Sequence, residues 1–249
     1  MTEDKVPGLE SAASQILTRA VELDNKRQFT EALSCYMEGI SLLLQVCKAP
    51  INDSRKTKIR TRAEEFMTRA ERIKAIIERE KTSGHYHEQV QIPAGATGYS
   101  YESVFRSLID DELTAVELDD PYIRAGHQLL NFVRFCEMLI KHAPKLNSIK
   151  LNTGSDETAD SKTHQTNALE ELKRSLKETK NVNLNVVYSE TIHDREIRFN
   201  NGWIVKIGRG LDYFRPVQKY SIGYCDMSLR PCHQTTIDIF HRKHTAVLI

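Results

Sequence analysis

The 249-residue chain has few cysteines and no long apolar run. Its five cysteines are an odd number and none stand as Cys-x-x-Cys, which argues against a disulfide framework and favours reduced thiols in a cytosolic compartment. The apolar runs are too short to span a bilayer. Residues 1–10 carry acid and proline where a signal peptide carries base and then an apolar run. We therefore expect a cytoplasmic protein whose contact with membranes is peripheral.

The chain also lacks an excess of charge of one sign. Its 35 Lys and Arg residues balance 34 Asp and Glu residues, so the formal net charge is +1. This balance excludes a polycationic, histone-like tail, and we expect no nucleic-acid partner; attraction to an anionic surface must come from local patches. The 40% of apolar residues, in a length of about one and a half typical domains, is enough for a packed core.

The first third of the chain predicts three helices. Apolar residues recur at helical spacing within residues 11–25, 30–48 and 53–81. Short turns join these segments, so we expect antiparallel neighbours in a bundle over residues 9–82, preceded by a flexible N-terminus at 1–8. Four small residues allow the helices to approach closely: Ala32, Gly39, Ala63 and Ala70.

Residues 83–102 contain glycine and proline in a polar stretch, which predicts a linker. The tyrosines in this stretch indicate that its second half packs against another surface. From 103 to 249 strands and helices alternate, which predicts a mixed α/β sheet covered by helices. The expected strands are 114–118, 148–152, 184–188, 195–199 and 203–207, and the expected helices are 128–142, 168–179 and 235–244. Asn201-Gly202 predicts a hairpin turn, and 153–167 reads as a mobile loop.

One face of the third predicted helix combines charges with a single methionine. A soft apolar anchor flanked by opposite charges suits an amphipathic helix laid in a groove. The alternative is a solvated helix face on which the methionine covers the edge of the bundle. The residues of this face are Arg60, Glu64, Met67, Glu71 and Lys74.

Three segments, 19–24, 29–40 and 66–74, resemble MIT (microtubule interacting and trafficking) domains in type, order and spacing. This resemblance implies a three-helix bundle whose groove between the second and third helices binds C-terminal helical motifs of ESCRT-III subunits. It also implies that Met67 is the apolar groove residue. An alternative is a helical scaffold similar to a single tetratricopeptide unit, although a lone unit cannot bury its faces.

The C-terminal half contains a His-x-Arg-x4-Asn arrangement formed by His193, Arg195 and Asn200. It is similar to the His-x-Lys-x4-Asp motif of the phospholipase D superfamily, in which histidine attacks phosphorus and lysine holds a phosphate oxygen. Two of the three residue types differ, and the second motif that such a site needs is missing. Another candidate, starting at His241, ends in Leu248 and is attributed to chance. We expect no catalysis; the alternative is a homodimeric phosphodiesterase with His193 as nucleophile.

Positions 195–219 have a local excess of positive charge that suits an acidic phosphate surface. The Gly208-Arg209-Gly210 segment leaves backbone bare for close approach of a phosphate. The alternative is a solvated hairpin face. The expected phosphate-binding residues are Arg195, Arg198, Lys206, Arg209 and Lys219.

No metal and no cofactor are expected, because the cysteines and histidines near the C-terminus fit no zinc spacing. These residues are Cys225, Cys232, His233, His241 and His244.

An MIT domain followed by a phospholipase-D-like domain resembles a family of animal proteins. The resemblance implies a non-catalytic protein that binds ESCRT-III subunits and acidic or phosphoinositide membranes. It further implies a homodimer formed through the C-terminal domain, a role in cytokinetic abscission, and a location at the midbody and at late endosome membranes. Composition and spacing alone show none of these properties.

Overall fold

The computed structural model describes residues 6–50, 52–83 and 86–242. It divides into two compact units, residues 1–84 and 85–249. The first is all-helical and the second is built on one sheet. Within the described residues, no helix combines the length and the apolar composition needed to cross a bilayer.

The first unit contains the three expected helices, α1 (Val6–Asn25), α2 (Phe29–Cys47) and α3 (Asp53–Ser83). Helix α1 begins earlier than expected, since residues 6–8 are helical; the flexible N-terminus expected there is wrong for these residues. The other expected N-terminal residues, 1–5, lie outside the described part. Helix α2 packs against both α1 and α3.

Small residues bring α1 and α2 close together, as the sequence predicted. Gly39 of α2 faces Leu17 of α1 so closely that an added Cβ would lie 2.5 Å from the leucine Cγ. Ala32 and Ala20 are fully buried beside this contact region of the bundle core. The packing therefore requires the absence of a side chain at Gly39.

A partly buried polar network joins the three helices. Arg69 of α3 donates from Nε and Nη2 to the Asp24 carboxylate at 2.7 and 2.6 Å. The Tyr36 hydroxyl of α2 donates to the same carboxylate at 3.1 Å. The hydrogen bond from Arg69 lowers the pKa of Asp24, whereas burial and the Asp24 charge raise the pKa of Tyr36 to about 12.

The second unit is a seven-stranded mixed sheet with strand order β1-β7-β6-β5-β2-β3-β4. Strand β2 is parallel to β3, and β3 to β4; the other pairs are antiparallel. Its strands are β1 (His87–Ile92), β2 (Ala115–Asp119), β3 (Ser148–Thr153), β4 (Asn183–Tyr188), β5 (Glu196–Phe199), β6 (Trp203–Ile207) and β7 (Thr235–His241). Its helices are α4 (Tyr101–Phe105), α5 (Gly126–His142) and α6 (Ala159–Lys180), with short 3-10 turns at Arg106–Leu108 and Met227–Leu229.

One face of the sheet forms the core. The crossovers through α5 and α6 place both helices on the same face, because crossovers between parallel strands are right-handed. Buried strand residues such as Leu118 and Leu151 alternate with exposed or half-buried ones, and the apolar side of α5 is buried around Phe132 and Phe135. The mixed α/β sheet covered by helices is therefore confirmed.

The opposite face carries a ladder of charges across neighbouring strands. Lys150 pairs with Glu117 at 2.7 Å, Arg198 with Asp119 at 2.6 Å, and Lys206 with Glu196 at 3.2 Å. These residues are register partners or diagonal neighbours in β3, β2, β5 and β6. Cross-strand pairing of opposite charges stabilises the register of this face.

Two expectations about the ends of this unit are wrong. The expected linker at 83–102 contains β1, and the expected helix at 235–244 is β7 over its first seven residues. Residues 243–244 lie outside the described part. In β7, Ile237 and Ile239 are buried while Asp238 between them is half-buried, which is the two-residue period of a strand. All of β1 pairs with β7, so β1 forms the edge of the sheet and covers the outer side of β7.

The second half of the expected linker docks, as its tyrosines indicated. The Tyr101 hydroxyl donates to the Leu211 carbonyl at 2.5 Å, and the Tyr101 ring meets Phe135 edge-on at 5.9 Å.

The prediction of a mobile loop at 153–167 is wrong for the second half of that segment, which is helical. Helix α6 begins at Ala159, because the Thr158 hydroxyl accepts the Ser161 N–H as an N-cap.

Candidate functional site

A groove of about 860 Å³ lies between α2 and α3. Its floor is apolar and its rim is charged. The lining residues are Leu33, Met37, Ile40, Ser41, Leu44, Gln45, Lys48, Met67, Ala70, Glu71 and Lys74.

Three large apolar side chains remain exposed along this groove. Met37 is 59% exposed, and Leu44 and Met67 are each 41% exposed. Methionine side chains are flexible and polarisable, so they fit varied apolar partners. Lys48, Lys74 and Glu71 provide charges of both signs around them. The groove is thus suited to the apolar face of an amphipathic helix.

Three of the five residues predicted for this site line the groove. Met67, Glu71 and Lys74 are among its walls. Arg60 and Glu64 are exposed on α3 but do not line it. They lie one or two turns closer to the start of the helix.

Sequence reasoning missed the α2 side of the groove. Leu44 fits the apolar stripe of residues 30–48, which predicts a side chain facing the bundle core, yet it is 41% exposed. Met37 lies outside that stripe and received no role. The available signal was that α2 carries apolar residues over a wider arc than one core-facing stripe needs.

A second and smaller groove of about 430 Å³ lies between α1 and α3. Its walls include Val21, which is 40% exposed, and Phe66, over which the Arg62 guanidinium lies at 5.7 Å. Val21 and Met67 therefore have nearly equal exposure on opposite sides of the bundle. They form a matched pair for testing which groove binds a peptide.

The degenerate phospholipase-D-like motif is not assembled around one point. His193 is exposed in the segment before β5. Arg195 and Asn200 lie at opposite ends of β5, about 16 Å apart at about 3.3 Å per residue. The Asn200 Oδ1 accepts the N–H groups of Thr114 and Ala115 at 3.0 and 3.1 Å. Asn200 therefore holds the start of β2 in place.

In the Gly208–Gly210 loop, packing against Asp120 requires glycine at position 210. Asp120, which is 1% exposed, accepts N–H bonds from Tyr122 at 3.0 Å and Leu211 at 3.3 Å. A Cβ at Gly210 would lie 2.0 Å from the Asp120 Oδ2. Burial raises the pKa of Asp120. The interpretation that bare backbone admits a phosphate is wrong for Gly210, because a carboxylate fills that space.

Arg195 lies beside this loop. Its guanidinium stacks over the Tyr122 ring, 4.4 Å from the ring centroid, and its Nη1 donates to the Gly208 carbonyl. The charge of Arg195 is one of the influences that lower the pKa of Asp120 against the effect of burial. Arg195 thus has an acidic neighbour, although its half-buried side chain still reaches the surface.

Arg198 and Lys206 belong to the charge ladder on the open face of the sheet. Burial lowers the pKa of Arg198, but hydrogen bonds to Glu196 and Asp119 raise it more. Both basic side chains are therefore compensated by carboxylates. For these two residues the structure agrees with the alternative of a solvated face, and it gives no free charge for a phosphate.

The remaining predicted cations are Arg209 and Lys219. Arg215 lies between them in the sequence, and we call these three residues, Arg209, Arg215 and Lys219, the basic patch. All three are exposed, and within the described part of the chain no ion pair involves them. Arg215 donates its backbone N–H to Pro231. His233 lies near Arg209 and Arg215. Its pKa is lowered mainly by burial and further by the positive charges of these two arginines.

The cysteines and histidines of the second unit form no metal site among the residues that the structure describes. Across 6–50, 52–83 and 86–242 no three His, Cys, Asp or Glu side chains are placed to hold an ion. Cys232 is buried and Cys225 is exposed. His244, Lys243 and Leu248 lie outside the described residues.

Comparison with known proteins agrees with this division. Residues 10–75 match the MIT (microtubule interacting and transport) domain, and residues 98–241 match the phospholipase D-like domain at the C-terminus of MIT. The chain is 52% identical over 236 residues to MIT domain-containing protein 1 of Mus musculus, with 94% of each chain covered. The chain therefore belongs to the family in which an MIT domain is followed by a C-terminal phospholipase D-like domain.

Proposed function

We propose that the protein is a non-catalytic adaptor that links ESCRT-III subunits to acidic membranes. Its MIT domain binds C-terminal helical motifs of ESCRT-III subunits in the α2–α3 groove. Its phospholipase D-like domain forms a homodimer and binds acidic phospholipids, including phosphoinositides. The protein acts in cytokinetic abscission as a cytoplasmic, peripheral membrane protein at the midbody and at late endosome membranes.

The observation that carries this proposal is the exposure of Met37, Leu44 and Met67 in one groove. Large apolar side chains that remain accessible in a concave surface favour a partner that covers them. A helix places residues of one face at i, i+3, i+4 and i+7, and such a stripe fits a groove between two helices. The charged rim at Glu71 and Lys74 can pair with charges that flank the stripe.

A peptide titration tests this part of the proposal. Fluorescently labelled peptides with the C-terminal helical motifs of ESCRT-III subunits are titrated with the full-length protein. Met67→Asp places a charge in the apolar floor and is expected to weaken binding at least about tenfold, which corresponds to about 1.4 kcal/mol.

Val21→Asp is the matched control, since its side chain has nearly the same exposure in the α1–α3 groove. It is expected to bind the peptide as the wild type does. If Val21→Asp loses binding and Met67→Asp keeps it, the peptide binds the other groove. Equal affinity of all three proteins contradicts a role for either surface.

The basic patch supports the membrane part of the proposal. Each Lys or Arg near an acidic membrane contributes about 1 kcal/mol, and the attraction decays within about 8 to 10 Å in physiological salt. We expect the full-length protein to float with phosphatidylserine and phosphoinositide vesicles at low salt, and less at high salt. Arg209→Glu with Lys219→Glu is expected to abolish flotation.

Lys173→Glu is the control for that change of charge, because Lys173 is exposed on α6 and pairs with Glu170. Its flotation is expected to remain near that of the wild type. Flotation of the Arg209→Glu, Lys219→Glu protein at wild-type level contradicts the assignment to the basic patch.

The position of Asn200 supports the non-catalytic part of the proposal. A phosphodiesterase with His193 as nucleophile is the competing function, and it requires a polar network around that histidine. Asn200 is instead bonded to Thr114 and Ala115. We expect no phosphodiester hydrolysis by the wild type. Hydrolysis that disappears in His193→Ala overturns this part of the proposal.

Homodimerisation strengthens a membrane-bound adaptor, because two weak tail sites on one body bind a polymer with avidity. Light scattering of the full-length protein across a concentration series measures the oligomeric state. A mass of twice the 28.6 kDa chain is expected. A mass that stays at that of one chain contradicts the dimer.

A further inference from the structure

The segment between the basic patch and the last strand presents apolar side chains to solvent. We define residues 219–229 as the projecting loop. Tyr220 is 91% exposed and Ile222 is 79% exposed, and these are the most exposed large apolar side chains among the described residues. Leu229 and Tyr224 follow at 49% and 41%. Apolar side chains so exposed and so close together indicate a contact surface.

A buried arginine holds the projecting loop in shape. Arg230 is 9% exposed; its Nε donates to the Gly223 carbonyl at 2.6 Å and its Nη2 to the Tyr224 carbonyl at 2.5 Å. The Ser221 N–H donates to the Gln218 carbonyl at 3.1 Å, which closes a turn below Tyr220. The exposed side chains are therefore presented by an ordered backbone, and little conformational entropy remains to be lost on contact.

The backbone of the loop is strained where the apolar side chains project. Tyr220 has a φ of +70° and Gly223 a φ of +85°. A tyrosine in the left-handed region costs about 1 kcal/mol or more, and such strain persists where the surroundings enforce it. In this conformation Tyr220 stays 91% exposed.

Positive charge lies close to the projecting loop. The Lys219 ammonium lies 5.1 Å from the Tyr220 ring centroid. Arg215 is exposed and donates its backbone N–H to the carbonyl of Pro231, the residue after Arg230, and both Arg209 and Arg215 influence His233. The one acidic residue of the loop, Asp226, is engaged as a cap of Ser228. An apolar tip with a cationic base matches the order of an acidic bilayer, in which hydrocarbon lies beneath anionic headgroups.

We propose that the projecting loop is a membrane-insertion element that places Tyr220 and Ile222 at the boundary between headgroups and acyl chains of an acidic bilayer. Tyrosine favours this boundary because its ring is apolar and its hydroxyl is polar. The basic patch binds the headgroups while the tip enters the apolar layer by about 5 to 10 Å. This inference rests on the proposed membrane binding and adds that the contact is partly apolar.

A bilayer explains the tip better than a protein partner does. The rest of the domain leaves Tyr220 and Ile222 largely uncovered, at 91% and 79% exposure. A protein partner would need a pocket shaped for two separate side chains, whereas a fluid bilayer accepts such a tip without a fixed shape.

A tryptophan reporter tests insertion directly. Full-length Tyr220→Trp is mixed with vesicles of phosphatidylcholine and phosphatidylserine that contain brominated acyl chains. The native Trp203 is 4% exposed and gives a constant background. We expect a blue shift and quenching of the added tryptophan. Protein that co-sediments with the vesicles while its emission stays unchanged overturns the insertion and leaves the electrostatic membrane binding standing.

Two substitutions separate the roles of the tip and of charge. Ile222→Asp is expected to reduce vesicle binding at least fivefold and to leave ESCRT-III peptide affinity unchanged. Leu130→Asp is the control, because Leu130 is 55% exposed on α5, and it is expected to bind vesicles as the wild type does. Circular dichroism confirms that both variants fold.

The salt dependence gives the last discrimination. Residual binding of the wild type in 0.5 M salt that disappears in Ile222→Asp supports insertion. Wild-type binding that vanishes at that salt, together with normal low-salt binding of Ile222→Asp, overturns it. Failure of the wild type to bind any acidic vesicle overturns both the insertion and the membrane part of the proposed function.

Discussion

Arg69 donates two hydrogen bonds to the carboxylate of Asp24, although the two residues are 45 positions apart in the sequence. This bidentate pair fixes the C-terminal turn of α1 against the middle of α3. Tyr36 adds a third bond from α2. One carboxylate therefore orients all three helices that define the peptide groove.

Asp24→Asn is expected to lower the stability of the MIT domain by about 1 kcal/mol, since it removes the charge from a partly exposed pair. In the folded state the pKa of Asp24 lies below its ordinary value of 3.8, chiefly because Arg69 donates hydrogen bonds to the carboxylate. Its stabilising effect is thus complete above that value and is lost as the pH falls through the lowered pKa. Urea unfolding at pH 7 and near pH 3 measures this. A difference between variant and wild type that does not shrink at the lower pH contradicts the assignment.

Gly39→Ala is expected to destabilise the MIT domain by about 1 to 3 kcal/mol, because its Cβ collides with Leu17. Gly8→Ala in α1 is the matched control, since nothing lies within 4 Å of an added Cβ there. Alanine in an open helical position is neutral or slightly stabilising. Thermal unfolding of both variants measures the difference. Equal melting temperatures would contradict the close packing of Gly39 against Leu17.

Gly210→Ala is expected to destabilise the phospholipase D-like domain more than Gly95→Ala does. Both glycines have positive φ, +59° and +80°, so both substitutions carry backbone strain of about 1 kcal/mol. The added Cβ meets Asp120 only at Gly210. The comparison in chemical denaturation therefore isolates the cost of the collision. Similar losses for the two variants would mean that Asp120 moves freely.

Asn200→Ala is expected to cost about 2 to 3 kcal/mol, because it leaves the N–H groups of Thr114 and Ala115 without their acceptor. Asn200→Asp restores the acidic residue of the phospholipase D motif and keeps an acceptor for both groups. We expect it to unfold closer to the wild type and to gain no phosphodiesterase activity. Activity in this variant would show that position 200 reaches the reacting phosphate.

Local patterns predicted much of the fold. Asn201-Gly202 correctly marked the β5–β6 turn, in which Gly202 has a φ of +101°. The strands and helices from β2 to β4 followed their apolar periodicity. Strand β1 was missed because its buried residues are spaced among polar ones in a segment rich in glycine and proline, and β7 because its short alternation also fits a helix. Only pairing between distant segments decides both.

The candidate sites were less predictable, since they depend on which elements come together. The α3 side of the groove followed from helical spacing at Met67 and Glu71. The α2 side did not, because exposure of Leu44 depends on where α3 leaves a gap. Likewise, the count of basic residues at 195–219 did not reveal that Arg198 is paired across the sheet, whereas Lys219 is exposed and has no ion pair among the described residues.

The antiparallel pairing of β1 with β7 brings together the two strands at which the phospholipase D-like domain would be joined to other segments. His87 at the start of the domain is the register partner of Phe240 near its end. The first and last strands of this domain therefore lie side by side, as in domains that tolerate insertion into a host protein or circular permutation. A fragment begun after β1 would instead leave β7 as an unpaired edge and invite association between copies.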